Sequence, residues 1–111
     1  MASTFELKKS SNNQYHFSLQ AGNGQTILSS EMYAAKASAL GGIESVKKNA
    51  ADDSRYNRLV GKNGAPYFTL SAANHQVIGQ SEMYSSEGAR DKGIESCKAN
   101  GPNATVNDIA A

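Results

Sequence analysis

Covalent and metal stapling have little to work with in this sequence. Of 111 residues one is cysteine, Cys97, so no internal disulfide can close and no cysteine-rich metal site can form. A lone thiol fits a reducing compartment. Tryptophan is absent and aromatics make up 7% of the chain, so a large aromatic core is not available. Neither Met1 to Lys9 nor any later run has the apolar stretch of a signal peptide or a membrane span. A cytoplasmic, membrane-free protein is the expectation. An excess of one charge is missing too: 11 Lys and Arg face 10 Asp and Glu, and a net +1 exerts no strong pull on nucleic acid.

Gly, Asn, Ser and Ala are plentiful, which suggests turns and closely packed backbones. The chain also repeats itself. Shifted by 51 residues, Phe17, Leu19 and Ala21 fall on Phe68, Leu70 and Ala72. Ser30-Glu31-Met32-Tyr33 falls on Ser81-Glu82-Met83-Tyr84, and Gly42-Ile43-Glu44-Ser45 on Gly93-Ile94-Glu95-Ser96. From residue 15 to 49, 16 of 35 pairs are identical without a gap. The boundaries read as about 1–53 and about 54–111, in one domain. A unit of about 50 residues is marginal alone, so two copies packed about a pseudo-twofold axis within a monomer are expected.

Each unit reads β-β-β-α-β. Phe5 to Lys8 alternates, as do Tyr15 to Ala21, with Phe17 and Leu19 on one face. Asn23-Gly24 signals a tight hairpin because both residues tolerate positive φ; His75 stands in the place of that glycine. Helices are expected over Ala34–Lys48 and Ser85–Ala99, with Ala39, Gly42, Ile43 and Val46 on one face and Ala89, Gly93, Ile94 and Cys97 on the other copy's. Tyr56 to Val60 is at once the end of one unit and the counterpart of Phe5 to Lys9. The chain ends, Phe5 to Lys9 and Val106 to Ile109, must then meet. The reading is an α+β fold: an antiparallel sheet of tandem repeats with exchanged C-terminal strands and two helices on one face.

The blocks Ala21-Gly22-Asn23-Gly24, Ser30-Glu31-Met32-Tyr33, Gly42 through Lys47, and Tyr67-Phe68 through Ala72-Ala73-Asn74 resemble the YegP-like family of small bacterial proteins, over nearly the whole chain. The resemblance implies the same strand-exchanged repeat, as a tandem pair or a homodimer of single units. It implies no catalytic or binding residue.

Chemistry-bearing patterns are thin. His16, His75 and Cys97 lack ligand spacing, so no metal and no cofactor are expected. His16 alternates away from the apolar face and should be solvent-facing. Cys97 takes the place of Val46 and reads as core rather than nucleophile. Glu31/Glu82 precede helices and Glu44/Glu95 lie within them, where surface roles suffice. Lys8, Lys9, Lys47, Lys48, Arg55, Arg58 and Lys62 could form a basic field near tyrosines, but acids are interleaved. The remaining candidate binding signature is Asn23, Gln25, Ser30, Glu31 and Tyr33, repeated at Asn74, Gln76, Ser81, Glu82 and Tyr84. These residues suit turns and caps, and could equally line two symmetric grooves. The functional expectation is a non-catalytic binding or protein-interaction module. A weak nucleic-acid binder is the alternative, and a small-molecule binder or enzyme comes third.

Overall fold

Alternating apolar residues turn into strands wherever one face can be buried, and that rule sets the sheet here. A computed structural model describes residues 3–109. The order is β1 (Thr4–Lys9), β2 (Tyr15–Gln20), β3 (Thr26–Ser29), α1 (Lys36–Asn49), β4 (Tyr56–Val60), β5 (Pro66–Ser71), β6 (Val77–Gln80), α2 (Glu87–Asn100) and β7 (Thr105–Asp108). Short 3-10 turns at Asp53–Arg55 and Gly101–Asn103 lead into β4 and β7. The seven strands form one sheet in the order β4-β5-β6-β3-β2-β1-β7. The copies meet where Ser29 of β3 opposes Gln80 of β6.

The expected strand exchange is present. β7, the end of the second copy, lies beside β1, with Phe5 opposite Val106 and Leu7 opposite Asp108. This pair is parallel while all other pairs are antiparallel, so the sheet is mixed. The ends are tied by Thr105 N–H donating to the Ser3 carbonyl at 3.2 Å and Ile109 N–H to the Leu7 carbonyl at 3.0 Å. An ion pair from Lys36 to Asp108 at 2.5 Å adds to this. The exchange happens once. β4 pairs with β5 only and forms the other edge.

Phe5, Leu7, Phe17 and Leu19 from one copy, and Tyr56, Phe68 and Leu70 from the other, are buried with Ile43, Val46, Ile94 and Cys97 of the helices in one continuous core. Both register shifts fall at the same place, between Leu19 and Gln20 and between Leu70 and Ser71.

Local details differ from the sequence reading. The Asn23-Gly24 turn is not a two-residue hairpin with both residues at positive φ; only Gly24 is left-handed, at 84°, while Gly24 N–H donates to the Ala21 carbonyl at 2.9 Å. His75 takes the Gly24 place at 68°, as expected. The helices begin two residues later than the pattern suggested, and Ser86 caps α2, accepting from the Ala89 N–H at 3.1 Å. Asn49 and Asn100 close their helices by folding back: each Nδ2 donates to the carbonyl of Ser45 or Ser96 at 2.8 Å. The core-facing member of α2 in the Ala39 position is Arg90, not Ala89, which is half-buried. A 51-residue shift maps Ala39 onto Arg90, and an arginine at a core position defeats a reading by hydrophobicity alone.

The repeated mid-helix glycine has a steric cause. A Cβ at Gly42 would lie 2.5 Å from the Tyr33 hydroxyl oxygen and 2.9 Å from the Phe17 ring; Gly93 stands in the same relation to Tyr84 and Phe68. The rings stack in pairs, Phe17 on Tyr33 at 6.2 Å and Phe68 on Tyr84 at 6.3 Å. Gly41, one residue earlier, faces open space. Gly93→Ala is expected to lower stability by about 1–2 kcal/mol, since the strain of overpacking exceeds the gain of helix propensity. Gly41→Ala should raise it by about 0.5–1 kcal/mol. Urea unfolding of both variants checks this, and a Gly93→Ala protein as stable as the parent would contradict the close approach.

Candidate functional site

The repeated polar signature is mostly occupied with the backbone. Ser30 Oγ accepts from the Phe17 N–H at 2.9 Å and donates to the Glu31 carbonyl at 2.8 Å; Ser81 does the same with Phe68 and Glu82 at the same distances. Asn23 and Asn74 each accept from the N–H two residues on, at Gln25 and Gln76, at 3.0 Å. Tyr33 exchanges backbone bonds with Tyr15, whereas Tyr84 donates to the Pro66 carbonyl at 2.8 Å and the proline has no N–H to return. The side chains of Gln25, Glu31, Gln76 and Glu82 lie exposed.

The fold brings some of these residues together across the copies. A groove of about 350 Å³ joins Asn23 and Gln25 of the first hairpin to Tyr84, Lys92 and Ser96 of the second copy. Its smaller counterpart, about 290 Å³, joins Asn74 to Ser45, Lys48 and Asn49. Burial raises the Tyr84 and Tyr33 ionisations above the ordinary phenol value, with Glu82 and Glu31 adding to it.

Nucleophile and metal chemistry find little support. Cys97 is buried beside Tyr56, and burial pushes its thiol up to about 11, against a smaller lowering by the Tyr56 hydroxyl. That tyrosine donates to the Ala50 carbonyl at 2.6 Å. Among the described residues no three His, Cys, Asp or Glu side chains converge as metal ligands. His16 is half-buried rather than solvent-facing, with Nδ1 buried and unpartnered. Also among the described residues, no helix is long and apolar enough to cross a membrane.

The surface most unlike the rest is the β4 edge. β1 carries Leu7-Lys8-Lys9, and β4 carries Arg58-Leu59-Val60 in the same positions; Tyr67 replaces His16. Val60 is 63% exposed and Met83 51%, and with Gly61, Lys62, Asn63 and Tyr67 they line a groove of about 640 Å³. Exposed apolar residues on an open edge run against the usual protection of such edges by charge. A chain of ion pairs joins β4 and the turn before it to α2. Lys98 pairs with Glu95 at 3.9 Å and Asp53 at 2.6 Å, and Arg58 with Asp53 at 3.3 Å and Asp91 at 3.5 Å. The buried Arg90 meets Asp91 at 3.2 Å and Glu87 at 3.9 Å. The Lys98 hydrogen bond, then that of Arg58, holds the Asp53 carboxyl below its usual range. Reading the copies for identity passes over Val60, Tyr67, Asp53 and Arg90. Their signal is difference: Lys9 and His16 of the first copy stand where the second has Val60 and Tyr67, and Ala39 where it has the ion-paired Arg90.

With this geometry, the tandem α+β architecture defines a class of duplicated, strand-exchanged domains. The family described as "Domain of unknown function (DUF1508)" matches twice, over residues 10–57 and 62–108. A UPF0339 protein of Acinetobacter baylyi is 60% identical over 98% of both chains, and the UPF0339 protein YegP of Escherichia coli K12 is 54% identical over 97% of this chain and 98% of its own. Two solution NMR structures have the same fold. The UPF0339 protein of Shewanella oneidensis gives a TM-score of 0.93 at 53% identity, covering 99% of this chain and 93% of that one. The E. coli yegP protein, described as of unknown function, gives 0.94 at 52%, covering 100% and 96%. The chain belongs to the UPF0339 (YegP, DUF1508) family.

Two outcomes follow from the buried groups. Ser81→Ala leaves the Phe68 N–H without its acceptor and should lower stability by about 1–3 kcal/mol in urea unfolding; an unchanged midpoint would free Ser81 from that structural duty. The fold favours the protonated Cys97 thiol, so its contribution is complete below the unfolded value of 9.0 and is lost as pH rises toward about 11. Tyr56, whose ionisation is also raised by burial, adds a loss at higher pH. Cys97→Val, which copies Val46, should therefore lose about 2 kcal/mol less stability than the parent between pH 8 and 11. Parallel alkaline curves for the two proteins would refute the assignment.

Proposed function

We propose that this chain is a non-catalytic, cytoplasmic protein-interaction module, working as a monomer through its β4 edge and the adjoining groove. The observation that carries the reading is an asymmetry. β1 is paired on both sides, by β2 and β7, while its counterpart β4 is paired with β5 alone and is flanked by exposed Val60 and Met83; β7 forms the other edge of the sheet. An open edge offers main-chain hydrogen bonds, and neighbouring apolar side chains supply area to bury. The nucleic-acid alternative is weakened by the ion pairs, since Lys8, Arg55 and Arg58 of its candidate basic field each face carboxylates. A catalytic reading is weakened by the Cys97 burial and by the exposure of Glu31 and Glu82.

A photo-crosslinking residue at position 60 of the full chain provides the test, with one at position 9, the equivalent on β1, as the control. A nuclease-resistant protein adduct at 60 and none at 9 is the expected result. That adduct should weaken at least about tenfold when Met83→Lys places a charge in the groove, because a central apolar contact contributes a kcal/mol or more. Equal adducts at both positions, or adducts lost on nuclease treatment, would reject the reading.

A further inference from the structure

The interaction reading leaves open what lies along β4, and the repeat itself supplies a template. Two complete copies of a β-β-β-α-β unit contain eight strands. The described residues form seven, because β4 follows α1 as the last strand of one copy and precedes β5 as the first of the next. On the β1 edge the eighth-strand role is visible: β7 runs parallel to β1, Val106 beside Phe5 and Asp108 beside Leu7. A shift of 51 residues converts Phe5, Glu6 and Leu7 into Tyr56, Asn57 and Arg58, and both strands pair with the next one in matching register. The Arg58 carbonyl thus holds the place of the Leu7 carbonyl, which accepts from Ile109. The Tyr56 N–H is engaged by the Asp53 carbonyl, so an added strand meets β4 from the Tyr56 carbonyl onward.

Charge says which strand fits. At the β1 edge Lys36, at the start of α1, grips Asp108 at 2.5 Å. The residue in the Lys36 position of α2 is Glu87, which is exposed. The start of α2 stands over β4, as the Arg58–Asp91 pair at 3.5 Å shows. The charges facing this place are Glu87, Asp91 and Asp53, with Arg58 held between Asp53 and Asp91 and Arg90 between Asp91 and Glu87. The chain's own β7, offered by a second copy, would set Asp108 against Glu87. We propose that β4 accepts an extended segment of another protein as an eighth strand, parallel to β4. That segment carries an apolar residue beside Tyr56, a Lys or Arg beside Arg58 facing Glu87, and an apolar residue reaching the Val60–Met83 groove. The inference rests on the interaction reading and adds to it the partner's backbone direction and charge.

The test uses the full chain, isotope-labelled, and two synthetic hexapeptides at about 2 mM, a level suited to the ordering cost of a short flexible ligand. One is Ala-Thr-Val-Asn-Asp-Ile, the β7 sequence; the other, Ala-Thr-Val-Asn-Lys-Ile, has lysine in the acidic position. The lysine peptide is expected to shift the amide resonances of Arg58 to Gly61 and to bind about fivefold more tightly than the acidic one, the size of an exposed attraction exchanged for a repulsion. Glu87→Lys should reverse that order. A spin label on the peptide's N-terminus should broaden signals near Tyr56, and one on its C-terminus signals near Val60. Equal binding of both peptides would overturn the charge assignment, and reversed label positions the parallel direction. Absence of any shift along β4 would overturn strand addition while leaving the crosslinking result at position 60 to decide the interaction reading separately. A dimer abolished by Val60→Lys would make the occupant a second copy and overturn the proposal as well.

Discussion

A strand has two edges, and β4 must serve two copies of a repeat with them. As the last element of the first unit it would pair across to a neighbouring β1-type strand; as the first of the second unit it must pair with β5. It does the latter. From this one sharing follow the seven-strand count, the single exchanged strand at β1, and the edge that remains open. The internal symmetry is therefore complete in the core and broken at the rim. β1 is paired on both sides, by β2 and β7, whereas β4 has every residue after Tyr56 exposed.

Within the core, symmetry is kept by contacts that admit little variation. Tyr33 and Tyr84 each press a hydroxyl against a helix at a glycine, and each stacks on the phenylalanine of the middle strand. The serine three residues before each tyrosine ties the same strand to the loop. Helix, loop and strand are thus fixed by three side chains acting together, which accounts for the recurrence of Ser30, Tyr33 and Gly42 as Ser81, Tyr84 and Gly93. Where a contact is less demanding, the copies drift: Val46 and Cys97 fill equal places, as do Leu28 and Gly79, the latter giving way to the Leu28 side chain at 2.6 Å from where its Cβ would be.

Much of the fold could be read from the sequence because its signals are local or repeated. Alternation marked the strands, the 51-residue shift marked the duplication, and the double duty of Tyr56 to Val60 required the chain ends to meet, as they do. The parallel sense of β7 was not legible, since nothing in Thr105 to Asp108 encodes its direction. The half-burial of His16 escaped because alternation assigns a face but not the depth at which a neighbour covers it, and the burial of Arg90 because a charged residue does not register on an apolar helix stripe. The candidate site was legible only in part. Asn23, Ser30, Tyr33 and their partners stood out by identity, and the structure puts their polar atoms and rings to work on turns and packing.

Difference between the copies carries information that identity does not. A duplicated core position that changes from Ala39 to Arg90 needs compensation, and Asp91 and Glu87 supply it; Asp91 in turn holds Arg58, and Asp53 links Arg58 to Lys98. One substitution has thereby recruited a chain of charges that anchors α2 to the β4 edge. The same stretch exchanges Lys8-Lys9 for Leu59-Val60 and His16 for Tyr67, so the end of β4, which is an edge strand, is apolar where the end of β1, which is paired on both sides, is basic. Stability does not call for this, since an exposed valine stabilises little and an unprotected edge invites aggregation. A rigid, charge-braced strand with apolar neighbours is what an incoming segment requires, because the acceptor then has little order left to gain on binding.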